Sequence, residues 1–534
     1  MAVVQTKPSS TKVTGEELKP VLKQAGLKLA ESVVQDFSLL LTNFEAAVDS
    51  LPDDREVQPR PDLEKYPRTD IHIPEDNEFG AWASKVTAKC TAPKSNLLAG
   101  RTVALKDNVA LAGVRCTNGT AMVEWVPEVD ATIATRIMDA GAVITGKAAC
   151  ENACMEVISS TSVTGPVHNP YAKGYSAGGS SSGSGRLVAT GSVDLAIGCD
   201  QGGSVRIPAA ACGIVGLKPT LGLVPYTGIL GMDATIDHAG PMTKTVRDCA
   251  LLLEVIAGPD GWDDRQPPVE LWDRQPDFVR NVDAVAELPR NSMLDGVRVG
   301  VLVEGFQIPG QDQNVAASVR AAAERLSELG ATVSSISVPK HIEAAIAWGC
   351  SVPASGPRGA LLADSIGRKE LEFTDRCDLV GDKLTQAQFD ALGPGASYMY
   401  LAYLWAQKRY GPKLHARCTN LFKAVGDDYD RAFKDCDVLI TPTMPCPPGR
   451  LAVAGYTDEP LKFMAMTATL LANTSPFNST GHPAISLPVG FSPASEDPNV
   501  KLPVGMQIIG RKYGDTDCLK VAAAWERAFD WKTS

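Results

Sequence analysis

Apolar residues in the first fifty positions recur at helical spacing: Leu18, Val21 and Leu22, then Leu29, Val33, Val34, Phe37, Leu40, Leu41 and Phe44. That period predicts a helical pair over 14–50, opened by Thr14 with Glu17 three residues on, a capping-box pattern. Pro20 falls inside the first helix and weakens it. Residues 52–77 hold Pro52, Pro59, Pro61, Pro67 and Pro74 among many charges and read as an extended connector. From residue 100 the pattern changes. Val103 and Leu105 alternate with smaller or polar neighbours up to Lys106, a short strand; 130–140 is helical with Asp130 as cap; 141–145 is a second strand. Strand, helix, strand at this interval is a βαβ unit, and 297–303, 314–329 and 331–338 make another. A helix is expected over 248–257, an acidic loop over 262–289, and a mainly helical stretch over 340–425. The aromatic residues of that stretch, Tyr398, Tyr400, Tyr403 and Trp405, read as core or pocket wall. Strand-like runs at 438–441, 485–489 and 504–509 precede a last helix over 516–529. There is no internal repeat, and the class is α/β.

Composition narrows the function. With 534 residues, 44% apolar and 21% charged, the chain can bury a large core as one large α/β domain with additions. A net charge of −11 argues against a nucleic-acid-binding surface. Residues 1–15 lack the apolar core of a secretory leader, and no stretch is long and apolar enough to span a membrane. The thirteen scattered cysteines are therefore expected to be free, mostly buried thiols in a reducing cytoplasm. Cys150 and Cys154 stand four apart, on one face if helical; two thiols without further ligands make no metal site. Gly141 to Lys147 spells G-x-x-x-x-G-K, but Ala148 replaces the required hydroxyl and the strand lies inside the match. No metal or cofactor is expected.

The chemistry concentrates in two serine clusters, Gly178-Gly179-Ser180-Ser181-Ser182-Gly183 and Asp200-Gln201-Gly202-Gly203-Ser204. Glycine-serine segments are usually linkers. These are separated by the apolar stretch 187–197 and followed by another, which a linker would not be. A serine nucleophile needs a base for its proton and donors for the oxyanion, and Gly202 and Gly203 free the backbone to supply donors. Of the six histidines, His72, His168 and His238 lie nearest in loop-like contexts and carry no signature. Residues 179–183 also fit G-x-S-x-G, the nucleophile elbow, but follow a loop where the elbow follows a strand. The alternative base is a lysine made neutral by burial, for which Lys106 at a strand end is placed.

These strings resemble the amidase signature family of serine hydrolases. The matching segments are Gly178-Gly179-Ser180-Ser181, Asp200 through Ala210, Gly216-Leu-Lys218-Pro219-Thr220, the lysine motif Ala104-Leu-Lys106-Asp107-Asn108, and Asn478 through Gly490. The likeness spans roughly 95–300 and 430–515. Within the family the chain is most similar to bacterial amidases of the nitrile-degrading kind, which share the added N-terminal helices and are often homodimers. Arg186, where many relatives carry Ala, is a departure beyond the triad.

The resemblance implies a large mixed twisted sheet with helices on both faces. It divides the chain into an N-terminal helical region and connector (1–90), a first part of the core (91–340), a helical insert (341–425) and a C-terminal part (426–534). It implies a Ser–cis-Ser–Lys triad of Ser204 as nucleophile, Ser180 as bridge and Lys106 as base, with the N–H groups of Gln201, Gly202, Gly203 and Ser204 as oxyanion hole. Asp200, Ser181 and Arg206 are assigned to support, the last two to holding the Gly179–Ser180 cis peptide. The implied reaction is hydrolysis of small aliphatic or aryl carboxamides through an acyl-enzyme, by a homodimer acting on a small-molecule amide. The alternatives are a carbamate, ester or hydrazide hydrolase, one component of an amidotransferase complex, and a catalytically dead binding protein. The acyl pocket is expected around Met155, Ile158, the loop 226–234 and the helical aromatic residues near 398–405.

Overall fold

The computed structural model describes residues 12–52, 58–77, 79–122, 124–269, 272, 277–364, 374–377, 379–451, 460–467 and 469–533. The chain divides into two compact units, Met1–Pro59 and Arg60–Ser534. The first holds the helices Gly15–Gln24 and Glu31–Val48. The Glu17 N–H donates to the Thr14 hydroxyl and the Thr14 N–H to the Glu17 carboxylate, the expected capping box. Pro20 sits in this helix without ending it. Leu18 and Val34 are buried, whereas Phe37, Leu40 and Phe44 remain 44%, 52% and 61% exposed.

The second unit is built on one mixed sheet, with twelve strands among the described residues. In chain order these are β1 (Arg68–His72), β2 (Trp82–Ala88), β3 (Thr102–Lys106), β4 (Val143–Ala148), β5 (Leu195–Asp200) and β6 (Val215–Lys218). They continue with β7 (His238–Thr243), β8 (Arg298–Leu302), β9 (Thr332–Ile336), β10 (Val438–Pro442), β11 (Ala484–Ala494) and β12 (Asp497–Gly510). Across the sheet the order is β1-β2-β4-β3-β5-β7-β6-β11-β12-β10-β8-β9. β3 is parallel to β4 and β5, and β8 to β9 and β10; the remaining neighbours are antiparallel.

Alternate strand residues face opposite sides. Val103 and Leu105 join Ile197, Ile485 and Ile508 in a core covered by the helices Thr132–Asp139, Val246–Ile256, Gln313–Arg325 and Asp515–Ala528. Ala104 and Ala196 face the other way, against Leu187 and Val188 of the helix Ser182–Thr190 and Ala209 of the helix Arg206–Cys212. Small residues let these two helices lie close on the sheet: a Cβ at Gly216 would meet Ala209 Cβ at 2.6 Å. They are the helices that follow the two serine clusters. Coverage of both faces accounts for the continuous burial of β5, β7 and β10.

Several elements differ from the sequence reading. Arg68–His72, inside the expected connector, is the edge strand, so the sheet begins before residue 91; its mostly exposed side chains left no apolar alternation to read. The expected acidic loop contains the helix Phe278–Glu287, while 53–57 of the connector, 270–271 and 273–276 of the loop and 365–373 of the insert lie outside the described residues. In the insert the helices His341–Ala360, Pro394–Arg409 and Lys413–Ala432 form a separate core around Trp348, Val352, Met399, Tyr400 and Phe422. The last of them runs past residue 425. Tyr400 is buried, but Tyr398 and Trp405 are 46% and 63% exposed.

Candidate active site

The sheet delivers Lys106 and Asp200 from neighbouring strands, at the ends of β3 and β5. Between them the peptide Gly179–Ser180 is cis. Lys106 is fully buried, and its Nζ donates to Ser180 Oγ at 2.8 Å and to the Cys199 carbonyl at 3.2 Å. Ser204 meets this pair through its main chain, its carbonyl accepting from the Ser181 N–H at 3.3 Å. No Ser180–Ser204 side-chain hydrogen bond is present among the described residues.

The loop carrying Ser204 is fixed from below by Asp200. Its Oδ1 accepts from the Gly203 N–H at 2.7 Å and its Oδ2 from the Val205 N–H at 3.1 Å. Arg206, fully buried like Asp200, donates to both oxygens at 2.9 and 3.0 Å. Burial opposes the Asp200 charge, but Arg206 and Asn478 outweigh it and hold the carboxyl well below the usual carboxylate range. Gly203 has φ 145°, and a Cβ there would lie 2.4 Å from Thr474 Oγ1, so both its conformation and its surroundings require glycine.

The remaining Arg206 contacts correct one expectation. Its other donors go to the Thr474 carbonyl, Gln507 Oε1 and Asn478 Oδ1, at 2.9, 2.8 and 2.6 Å, which tie the loop to the C-terminal part of the sheet. Beside the cis peptide, the Glu151 N–H donates at 3.0 Å to the Ser180 carbonyl, which belongs to the next peptide along the chain. Ser181 Oγ turns to the Cys199 main chain at 3.3 Å, accepting from its N–H and donating to its carbonyl, as a support of β5 rather than an elbow nucleophile. Arg186 donates to the His168 carbonyl and stacks on Phe79.

Other candidates are used structurally. His72, His168 and His238 bond main-chain atoms of Asp70, Gly174 and Ile236. Lys147 of the G-x-x-x-x-G-K match is buried in an ion pair with Asp107 at 3.3 Å. Residues Asn152–Cys154 form a 3-10 turn, with Ala153 and Cys154 at φ 49° and 59°, so Cys150 and Cys154 do not share an α-helical face.

Sequence reasoning missed three supports. The Glu151 carboxyl, pushed up to about 7 by burial, accepts from Ser182 Oγ at 2.6 Å and from Thr161. Asn478 donates to the Asp200 carbonyl and carboxylate, both at 2.9 Å. Trp348, from the insert, donates its indole N–H to the Gln201 carbonyl at 2.8 Å and packs on Gly202 so closely that a Cβ there would lie 2.5 Å from the ring. Asn478 opens the C-terminal matching string; nothing near Trp348 in sequence marks it.

A small cavity lies beside Ser204. Met155, Met232, Trp348, Met399 and Leu471 supply its apolar wall. Ile158, expected here, lines a different cavity with Met444 and Leu470.

Burial is the largest influence on Lys106 and pushes its ammonium toward the neutral amine; negative charge on Cys154, Cys199 and Cys150 would oppose this and hold the proton in place. Burial itself keeps the Cys199 thiol up at about 12 and Cys150 well above its ordinary value, so neither is charged at neutral pH. The hydrogen bond with Cys150 draws Cys154 down to about 6, and the Lys106 charge acts in the same direction. Its Sγ lies 3.2 Å from Asn118 Oδ1, an acceptor satisfied by a thiol and not by a thiolate. With Cys154 protonated, burial carries Lys106 downward, the direction a base needs. Because a base works deprotonated, activity is expected to rise with pH through the Lys106 titration. With Cys154 already neutral, Cys154→Ala should leave that rise where it stands in wild-type kcat/KM profiles; a shift to lower pH would show that Cys154 carries a negative charge that holds the Lys106 proton.

A family model described as Amidase matches residues 71–519. The chain belongs to the amidase signature family. It is an enzyme acting on amide C–N bonds. An enantioselective amidase from Rhodococcus rhodochrous is 40% identical over 466 residues, covering 85% of this chain and 84% of that protein. A glutamyl-tRNA(Gln) amidotransferase component from Synechococcus sp. (strain CC9902) is 35% identical, covering 81% and 83%. The solved structure of 6-aminohexanoate cyclic dimer hydrolase complexed with substrate superposes with a TM-score of 0.67 at 28% identity, covering 81% of this chain and 86% of that one. No helix among the described residues is long and apolar enough to cross a membrane.

Proposed function

We propose that the chain hydrolyses small aliphatic or aryl carboxamides to the carboxylic acid and ammonia or amine through an acyl-enzyme on Ser204. The observation that carries this reading is the 2.8 Å bond from the buried Lys106 to Ser180, next to a Ser204 that opens on the apolar cavity. Neutral Lys106 takes the Ser180 hydroxyl proton as Ser180 takes that of Ser204, whose oxygen attacks the amide carbonyl. The Ser204 hydroxyl closes onto Ser180 when substrate fills the site, since catalytic hydrogen bonds tighten in the Michaelis complex. The N–H groups of Gln201, Gly202 and Ser204 receive the oxyanion, while that of Gly203, expected among them, is taken by Asp200 and holds the loop in shape. The relay returns the proton to the departing nitrogen, and water, deprotonated by the same route, releases the acid.

The enzyme acts as a homodimer in a reducing cytoplasm. Exposed Phe37, Leu40 and Phe44 of the N-terminal helices suit contact with a second copy, and all thirteen cysteines are free, ten of them buried. A fluorophosphonate probe should label wild type at Ser204, and a panel of matched amides, carbamates, esters and hydrazides should rank the amides first. Carbamate or ester preference with labelling intact would transfer the reading to those leaving groups. Activity that appears only when the other components of an amidotransferase are added would replace it by the amidotransferase reading. Sedimentation of an active monomer would remove the dimer.

A further inference from the structure

Glu156 has no role in the steps above, yet it lines the cavity that Ser204 opens on while being only 2% exposed. Its Oε1 accepts from the N–H groups of Gly395 and Ala396 at 2.6 and 3.2 Å, the first turn of the helix Pro394–Arg409. That helix start is shaped around the carboxyl: a Cβ at Gly395 would lie 2.4 Å from Oε2. A helix N-terminus favours an anion there, but burial wins and pushes the carboxyl up to about 8. The charged side chain acting on it among the described residues is Glu151, of the same sign. The site thus holds an acid whose ionised form lacks a counter-ion, in a wall otherwise made of methionine, leucine, valine and tryptophan side chains.

A second observation points the same way. Gln201 lines the same cavity, donates its Nε2 to Tyr226 Oη at 2.8 Å, and leaves its buried Oε1 without a partner. Unsatisfied buried acceptors ask for a donor. Both residues stand in the wall beside Ser204, where a small molecule carrying the scissile amide would lie.

We propose that Glu156 is a specificity-determining residue that binds a basic nitrogen of the substrate, so that the preferred substrates are small carboxamides bearing an amino group. This rests on the amidase reading of the Ser204 site. The ammonium supplies the charge that Glu156 lacks, and the apolar wall takes the methylene groups between the amine and the carbonyl.

The test compares 2-aminoacetamide, 3-aminopropanamide and 4-aminobutanamide with propanamide, butanamide and pentanamide, matched in length, on the full chain. At least one amino amide should exceed its neutral partner tenfold or more in kcat/KM. Glu156→Gln, which keeps shape and removes the charge, should lower that ratio at least tenfold, chiefly through KM. A ratio near one in wild type, or one that survives Glu156→Gln, overturns the proposal. Should the variant fold poorly, wild type decides: butylammonium should inhibit butanamide hydrolysis at a concentration at least tenfold below 1-butanol, and equal inhibition overturns the proposal. If no amide in either series is hydrolysed while aryl amides are, this proposal is overturned and the amidase reading stands.

Discussion

Ser204→Ala and Lys106→Met are each expected to lower kcat for a good amide by about 10⁴-fold or more, the scale on which hydrolytic triads fail. Ser204 supplies the attacking oxygen, and alanine leaves the cavity and the oxyanion N–H groups in place. Lys106→Met keeps the bulk of a fully buried side chain but leaves Ser180 without the 2.8 Å partner that takes its proton. The double variant should be no slower than Ser204→Ala alone, because members of one relay act as a unit. Ser180→Ala breaks the relay in the middle and belongs in the same range. Steady-state turnover together with thermal melts separates chemistry from folding: Ser204→Ala should melt close to wild type. Turnover within tenfold of wild type by any of the three would remove that residue from the triad.

How legible this site was depended on whether its parts are local. The proposed oxyanion loop and nucleophile lie within 200–204, where glycines, a serine and an acid are adjacent, and the motif could be read directly. Lys106 looked like any lysine at a strand end; pairing of β3 with β5 puts it beside the serines, and only the family likeness indicated it. Glu151 and Trp348 were not legible. One is a carboxylate in a loop without a motif, and the other reaches Gln201 across 147 residues of chain from a helix whose apolar period serves its own core. For the fold, central strands were legible where both faces are apolar. The edge strand Arg68–His72 was not, because its side chains are mostly exposed and leave no apolar alternation to record.

Arg206→Met is expected to cost about 3–5 kcal/mol of stability, the range for breaking a buried ion pair from one side. Arg206 and Asp200 are both fully buried, and the guanidinium also satisfies Thr474, Gln507 and Asn478. Methionine fills similar volume and leaves all of these acceptors without their donor. Asp200→Asn in the same chain should recover part of the loss by removing the orphaned charge, and a double-mutant cycle from urea melts would measure the coupling. The pH dependence has a definite sign. The folded Asp200 carboxyl sits below its ordinary value, so its charge adds stability that is present above the unfolded value, near 3.9, and is lost as pH falls through the folded one. Without Arg206 the carboxyl titrates higher, and the acid loss of stability should begin at higher pH than in wild type. Activity should fall with stability but not in proportion, since Asp200, by accepting from the Gly203 and Val205 N–H groups, sets the shape of the loop whose other N–H groups receive the oxyanion, and a misplaced donor costs about 10²–10³ in kcat. An Arg206→Met variant with wild-type stability and normal kcat would mean that the loop holds its shape through Thr474 and Trp348 alone.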